Sequence, residues 1–95
     1  MTFRLRFTST AKEQYDRLPA PKLRKVKRAL GFLQSNPRHP SLNTHLYSGL
    51  QNPFRPAEPV FEAYAENRTP GAYRIFWCYG PEQGQLTIVA ITPHP

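Results

Sequence analysis

The residues best suited to chemistry lie in the last third of the chain. Asn67 to Gly71 has turn composition and separates two β-patterned runs, so it predicts a hairpin in which residue 66 faces 72, 64 faces 74 and 62 faces 76. Strand alternation then puts Glu62, Tyr64, Glu66, Arg74 and Phe76 on one sheet face. That set could move a proton and neutralise an anion. It could equally be an ordinary cross-strand ion pair, Glu62 with Arg74, on a solvated face, and a one-residue slip would scatter it. His94, between Pro93 and Pro95, follows the last strand pattern. An imidazole both donates and accepts a proton near neutral pH, which RNA cleavage by 2′-hydroxyl attack requires at the leaving 5′-oxygen. The plainer reading of His94 is a frayed terminal residue. His39 and His45 sit in a proline-rich stretch without metal-ligand spacing and read as surface residues or phosphate contacts, so no metal site is expected. Cys78 alternates within a hydrophobic run, which favours burial over nucleophilic use. With no glycine-rich phosphate loop, serine-hydrolase elbow or dinucleotide fingerprint, no cofactor is expected.

The elements that must carry these residues follow from periodicity. In Thr2 to Phe7, Phe3, Leu5 and Phe7 alternate with Arg4 and Arg6, the pattern of a half-buried strand. Thr10 and Glu13 have capping-box spacing, and Ala11, Tyr15 and Leu18 share the face of a short helix that Pro19 ends. A second helix over 22–35 shows Leu23, Val26, Leu30 and Leu33 on one stripe, with Arg24, Lys25 and Arg28 away from it and Phe32 near the basic side. Asn36-Pro37 stops it. From Pro37 to Pro59 the reading is a long connection with little regular structure, of the kind that is functional or mobile. Strand patterns then cover Val60 to Glu66, Ala72 to Gly80 and Gln85 to Thr92. The order predicts an α+β fold: an N-terminal strand, an αα-hairpin and a three-stranded antiparallel meander, with the helices on one sheet face and the opposite face free.

Composition bounds what such a site can be. Ninety-five residues make one domain, 1–95, whose site should be shallow because a core of this size spares little stability for a deep cavity. The net charge is +7, and it is localised: residues 1–40 hold ten bases against two acids, +8, whereas 41–95 hold three against four, −1. Such a field attracts nucleic acid, an acidic protein or an anionic surface, or marks only a soluble basic domain. One cysteine allows no intramolecular disulfide and fits a reducing compartment. The chain carries no apolar run of signal-peptide or membrane-spanning length, so a cytoplasmic location and no membrane partner are expected.

The order of elements, the segment Ala-Tyr-Arg-Ile-Phe-Trp at 72–77, the leucine-rich basic helix ending in Asn36-Pro37-Arg38 and the closing Ile-Thr-Pro-His-Pro together resemble the RelE/ParE superfamily of bacterial toxins. The resemblance spans nearly the whole chain. It implies the toxin of a type II toxin–antitoxin system, silenced by a cognate antitoxin in a hetero-oligomer, and in the RelE branch a metal-independent, ribosome-dependent endoribonuclease acting on mRNA. On that analogy Arg74 stabilises the phosphorane, His94 is the general acid and Glu62 accepts the 2′-hydroxyl proton. Lys22, Arg24, Lys25, Arg28 and Arg38 then hold RNA phosphates, and Tyr64 or Phe76 stacks on a base. RelE has lysines where this chain has Glu62, Tyr64 and Glu66; related branches pair a histidine with a glutamate. The ParE branch instead inhibits DNA gyrase on the same fold, and an inactive antitoxin-binding protein is a third implication.

Overall fold

The computed structural model describes residues 2–67 and 69–94. Its elements are β1 (Arg4–Phe7), α1 (Ser9–Asp16), α2 (Ala20–Ser35), a 3₁₀ turn (Pro40–Leu42), β2 (His45–Tyr47), β3 (Val60–Tyr64), β4 (Tyr73–Tyr79) and β5 (Gln85–Pro93). The strands form one sheet in the order β1-β5-β4-β3-β2. β2 to β5 run as an antiparallel meander, and β1 adds to β5 in parallel. The α+β architecture expected from periodicity is therefore present. The meander has four strands rather than three, because His45-Leu46-Tyr47, inside the stretch read as irregular, pairs with Tyr47↔Val60 and His45↔Glu62. Among the described residues no helix is long and apolar enough to cross a membrane.

Both helices pack on one sheet face. Ala11 of α1, and Val26, Ala29, Leu30 and Leu33 of α2, join Leu42 against Ala63, Ile75, Trp77, Leu86, Ile88 and Ile91. Val26, Leu30 and Leu33 of the expected α2 stripe are buried, whereas Leu23 is only partly buried and outside the cluster; Pro21 lies in the first turn, where its missing N–H costs no bond. The cap of α1 is Thr8 and not Thr10: the Thr8 hydroxyl accepts from the Ala11 amide at 3.0 Å. Glu13 points outward instead and pairs with Arg17 at 3.2 Å.

A bulge interrupts the β4–β5 ladder, since Phe76 pairs with Ala90 but Trp77 with Ile88, leaving Val89 extra. Two backbone groups at this bulge turn to α1. The Thr8 hydroxyl donates to the Val89 carbonyl at 2.9 Å, and the Gln14 side-chain oxygen accepts from the Ile91 amide at 2.7 Å. Helix and bulge thereby fix each other.

The opposite sheet face is only partly free, contrary to expectation. Val60, Phe76, Cys78 and Ala90 form a second buried cluster, flanked by Tyr47 and Val89. The segment after β2 folds back over that end of the face. Phe54 lies 5.8 Å from the Arg6 guanidinium, and Asn52, held by the Phe54 and Arg55 amides, is buried. What stays open is the end of the sheet where Tyr64 and His94 lie, over the buried side chains of Arg74 and Glu62.

Candidate active site

At that open end β3 and β4 have the register the 67–71 turn implies, Glu62↔Phe76 and Tyr64↔Arg74. The centre of the site is the Glu62 carboxylate, whose side chain is 6% exposed. Oε1 lies 2.6 Å from His45 Nε2, while Oε2 lies 3.7 Å from Arg74 Nε and 3.9 Å from His94 Nδ1. Both imidazoles are about half exposed, so the carboxylate forms the floor and the rings its rim. His94 is tied down: its amide donates to the Ala72 carbonyl at 2.7 Å, extending the β4–β5 ladder past the strand's end. Arg74, Glu62 and His94 are thus brought together, although they lie on three strand segments.

Arg74 is held from several sides. Nη1 donates to the Glu66 carbonyl at 2.6 Å, and the guanidinium carbon sits 3.7 Å from the Tyr64 ring centroid, a cation–π contact. Among the described residues its buried Nε has no hydrogen-bond partner. A donor buried without a partner is costly, and here it stands beside the free oxygen of Glu62. Tyr64 also takes the His45 ring edge-on, at 5.7 Å between centroids.

Other expected members lie elsewhere. Beyond Tyr64 the strand alternation fails, because the Ala65 and Glu66 amides both donate to the Tyr73 carbonyl, at 3.2 and 3.4 Å. The Glu66 side chain therefore swings to α2 and out of the set. It accepts from Lys22 Nζ at 2.9 and 3.0 Å, from Lys25 Nζ at 3.4 Å and from the Tyr73 amide at 3.0 Å. Burial alone raises this carboxyl; Lys22, the Tyr73 amide and Lys25 outweigh it and hold the group below the ordinary carboxylate value. Lys22 and Lys25 are accordingly engaged within the fold, whereas Arg24, Arg28 and Arg38 are exposed. Phe76 is 3% exposed and packs against Tyr47 at 4.5 Å, so a base cannot reach it. Cys78 is buried as expected, and burial, with Glu58 adding to it, pushes its thiol up.

His45, read from the sequence as a surface residue or phosphate contact, is half exposed and also belongs to the cluster. Its Nδ1 lies 2.9 Å from the Asn43 carbonyl, so that ring nitrogen donates and Nε2 is turned to Glu62. Asn43 closes the 3₁₀ turn in a left-handed conformation (φ 47°), tolerable for asparagine, and its side chain donates to Asn67 at 3.2 Å. The available signal was the alternation in Thr44 to Tyr47, too short to stand against the five prolines of 37–59. A groove of about 410 Å³ adjoins the site, lined by Lys25, Arg28, Phe32, Asn43, Tyr64 and Asn67 among others. A larger cavity, about 460 Å³ and floored by Phe61, Trp77 and Tyr79, takes only His45 from the cluster and lies toward the helix side.

No family model matches the chain, and no curated protein matches it in sequence. Solved structures do match. The chain aligns with the archaeal RelE–RelB complex of Pyrococcus horikoshii at TM-score 0.70 and 15% identity, covering 98% of this chain and 96% of that one. The intact Escherichia coli RelBE toxin–antitoxin complex gives 0.66 and 14%, covering 100% and 99%. The YoeB/ParE toxin of Agrobacterium tumefaciens gives 0.72 and 11%, covering 98% and 100%. The chain therefore has the RelE/ParE toxin fold over its whole length, as the resemblance implied. Within that fold its candidate site is a carboxylate ringed by an arginine and two histidines.

Proposed function

We propose that this protein is the toxin of a type II toxin–antitoxin pair and that it cleaves mRNA on the ribosome. The observation that carries the reading is the Glu62 Oε2 atom, set between Arg74 Nε and His94 Nδ1 at distances just beyond hydrogen bonding, at the open end of the sheet. A 2′-hydroxyl approaches Oε2 from the half-exposed His94 side, because Arg74 Nε is buried. Glu62 takes its proton as O2′ bonds to phosphorus, Arg74 meets the charge growing on the phosphoryl oxygens, and protonated His94 gives a proton to O5′ as the P–O5′ bond breaks. The products are a 2′,3′-cyclic phosphate and a 5′-hydroxyl.

Substrate approach is supported by charge and shape. Arg24, Arg28 and Arg38 offer exposed cations to phosphates, and Tyr64 is shared between the carboxylate cluster and a groove lined by Lys25 and Arg28. Tyr64 remains the available stacking platform for a base. Antitoxin partnership rests on the neighbours of this fold, several of which are toxin–antitoxin complexes.

The test is induced expression followed by mapping of mRNA 5′ ends, and cleavage of a defined messenger by purified protein on translating ribosomes. His94→Ala and Arg74→Ala, each verified as folded, are expected to lose about 10²-fold or more in cleavage. Growth arrest with intact transcripts, or inhibition of gyrase supercoiling that His94→Ala leaves unchanged, would overturn the nuclease reading in favour of a gyrase inhibitor. Neither arrest nor cleavage, with binding to an acidic partner retained, would leave an inactive toxin-like protein.

A further inference from the structure

We infer that His45 is the positioning residue that splits the work of the two Glu62 oxygens, holding Oε1 so that Oε2 alone faces the reacting hydroxyl. The inference rests on the nuclease reading above and adds to it a residue outside the Arg74–His94–Glu62 set. The geometry is asymmetric. His45 Nε2 is 2.6 Å from Oε1, whereas among the described residues the other side chains paired with the carboxylate, Arg74 and His94, stand at 3.7 and 3.9 Å and on the other oxygen. A carboxylate with one oxygen bound cannot rotate freely, and a base must be held in line with its proton to be effective.

The ring is itself held. Nδ1 donates to the Asn43 carbonyl, and the Asn43 side chain is bonded to Asn67 in the segment leading to β4. The T-shaped contact with Tyr64 fixes the ring plane, and Tyr64 in turn stacks on Arg74. Of the charged and titratable groups near the imidazole, Glu62 is the one it bonds and Tyr64 the ring it meets edge to face, while Arg38 and His39 line the cavity on its other side. β2 has a purpose in this arrangement: the pairing His45↔Glu62 places the imidazole directly across the ladder from the carboxylate it grips.

No bond to the substrate is made by His45. His45 donates from both ring nitrogens, Nδ1 to Asn43 and Nε2 to Oε1, as the imidazolium; during the step the 2′-hydroxyl proton goes to Oε2 and the Nε2 proton stays in its contact with Oε1. Removing the imidazole should therefore lower the rate of the bound complex and leave substrate affinity alone.

Cleavage of a defined messenger on translating ribosomes, followed over a range of protein concentrations, reads both quantities. His45→Ala is expected to lose about 10- to 100-fold in kcat with KM within about twofold of wild type. His45→Gln, whose amide can still donate to Oε1, should recover most of that loss. With Glu62→Gln already present, adding His45→Ala should cost no more than about twofold, because the two residues act as a unit. In ¹⁵N-labelled protein the His45 ring should show a hydrogen-bonded, downfield proton that disappears in Glu62→Gln. Wild-type kcat in His45→Ala, a loss in KM alone, or a His45→Gln variant as impaired as the alanine one would overturn the inference while leaving the nuclease reading intact. A wild-type protein that cleaves nothing removes that reading and this one together, and the ring proton then reports whether the contact itself exists.

Discussion

Glu66 is the sharpest test of how the end of β3 is held. Its carboxylate accepts from the Tyr73 amide and from Lys22 Nζ, with Lys25 more distant, while the side chain is almost wholly buried. Glu66→Gln keeps an acceptor for the Tyr73 amide and loses the charge. Lys22 is about a third exposed and Lys25 half, so solvent screens both pairs and the lost attraction is worth about 1 kcal/mol. Glu66→Ala also strands the Tyr73 amide, adding about 1–2 kcal/mol. For a domain of this size, 1 kcal/mol moves the melting midpoint by about 4–8 °C. Thermal unfolding at neutral pH should therefore show the glutamine variant several degrees below wild type and the alanine variant at least twice as far below. The pH dependence has a fixed sign. The folded-state pKa is depressed, so the charge contributes stability above the ordinary carboxylate value, and that contribution is lost as pH falls through the folded value. The gap between wild type and Glu66→Gln should close in that acid range. A glutamine variant as stable as wild type at neutral pH, or a gap that persists unchanged into acid, would refute the account. Cleavage per folded molecule should survive both variants, since Arg74 bonds the Glu66 main-chain carbonyl and not its side chain.

Two further outcomes follow from the packing. Thr8→Ala removes both the α1 cap and the bond to the Val89 carbonyl, so denaturant unfolding should show a loss of about 2 kcal/mol, largely restored by Thr8→Ser; no loss would mean that the cap and bulge contacts are idle. Cys78 is buried with its thiol pushed toward the neutral form, so labelling by a thiol reagent at neutral pH should be slow and should accelerate with denaturant in step with unfolding. Complete labelling within seconds in native buffer would contradict its place in the second cluster.

Legibility in the sequence tracked the physics behind each element. The α2 stripe and the β3–β4 register could be read because both are local: one depends on helical period, the other on a five-residue turn between alternating strands. Three features could not. β2 is three residues long, too short for a period to show, and it exists because β3 offers it an edge. Glu66 leaves its expected face because the alternation ends two residues earlier, where two amides compete for the Tyr73 carbonyl. Phe76 is buried because Tyr47 of β2 packs on it within the second cluster, a contact between residues distant in sequence. The same hidden strand carried His45 out of sight, so the site could be anticipated as an arginine, a glutamate and one histidine but not as a carboxylate gripped from a second side.

The β5 bulge explains how His94 comes to the Arg74 face at all. From Trp77 to Tyr79 the ladder pairs residues in one register, and from Tyr73 to Phe76 in a register shifted by one. If the first register ran unbroken, Arg74 would face Ile91 and not Thr92. Strand alternation would then turn Ile91 out of the helix-side core and send His94 to the helix side, away from Glu62. Inserting Val89 corrects both at once: Ile91 enters the core beside Ile88 and Ile75, and the chain reaches Ala72 with its imidazole toward the carboxylate. Thr8 and Gln14 bind the bulge's backbone groups from α1. The helix hairpin on one face of the sheet thereby sets the register that the chemistry on the other face depends on.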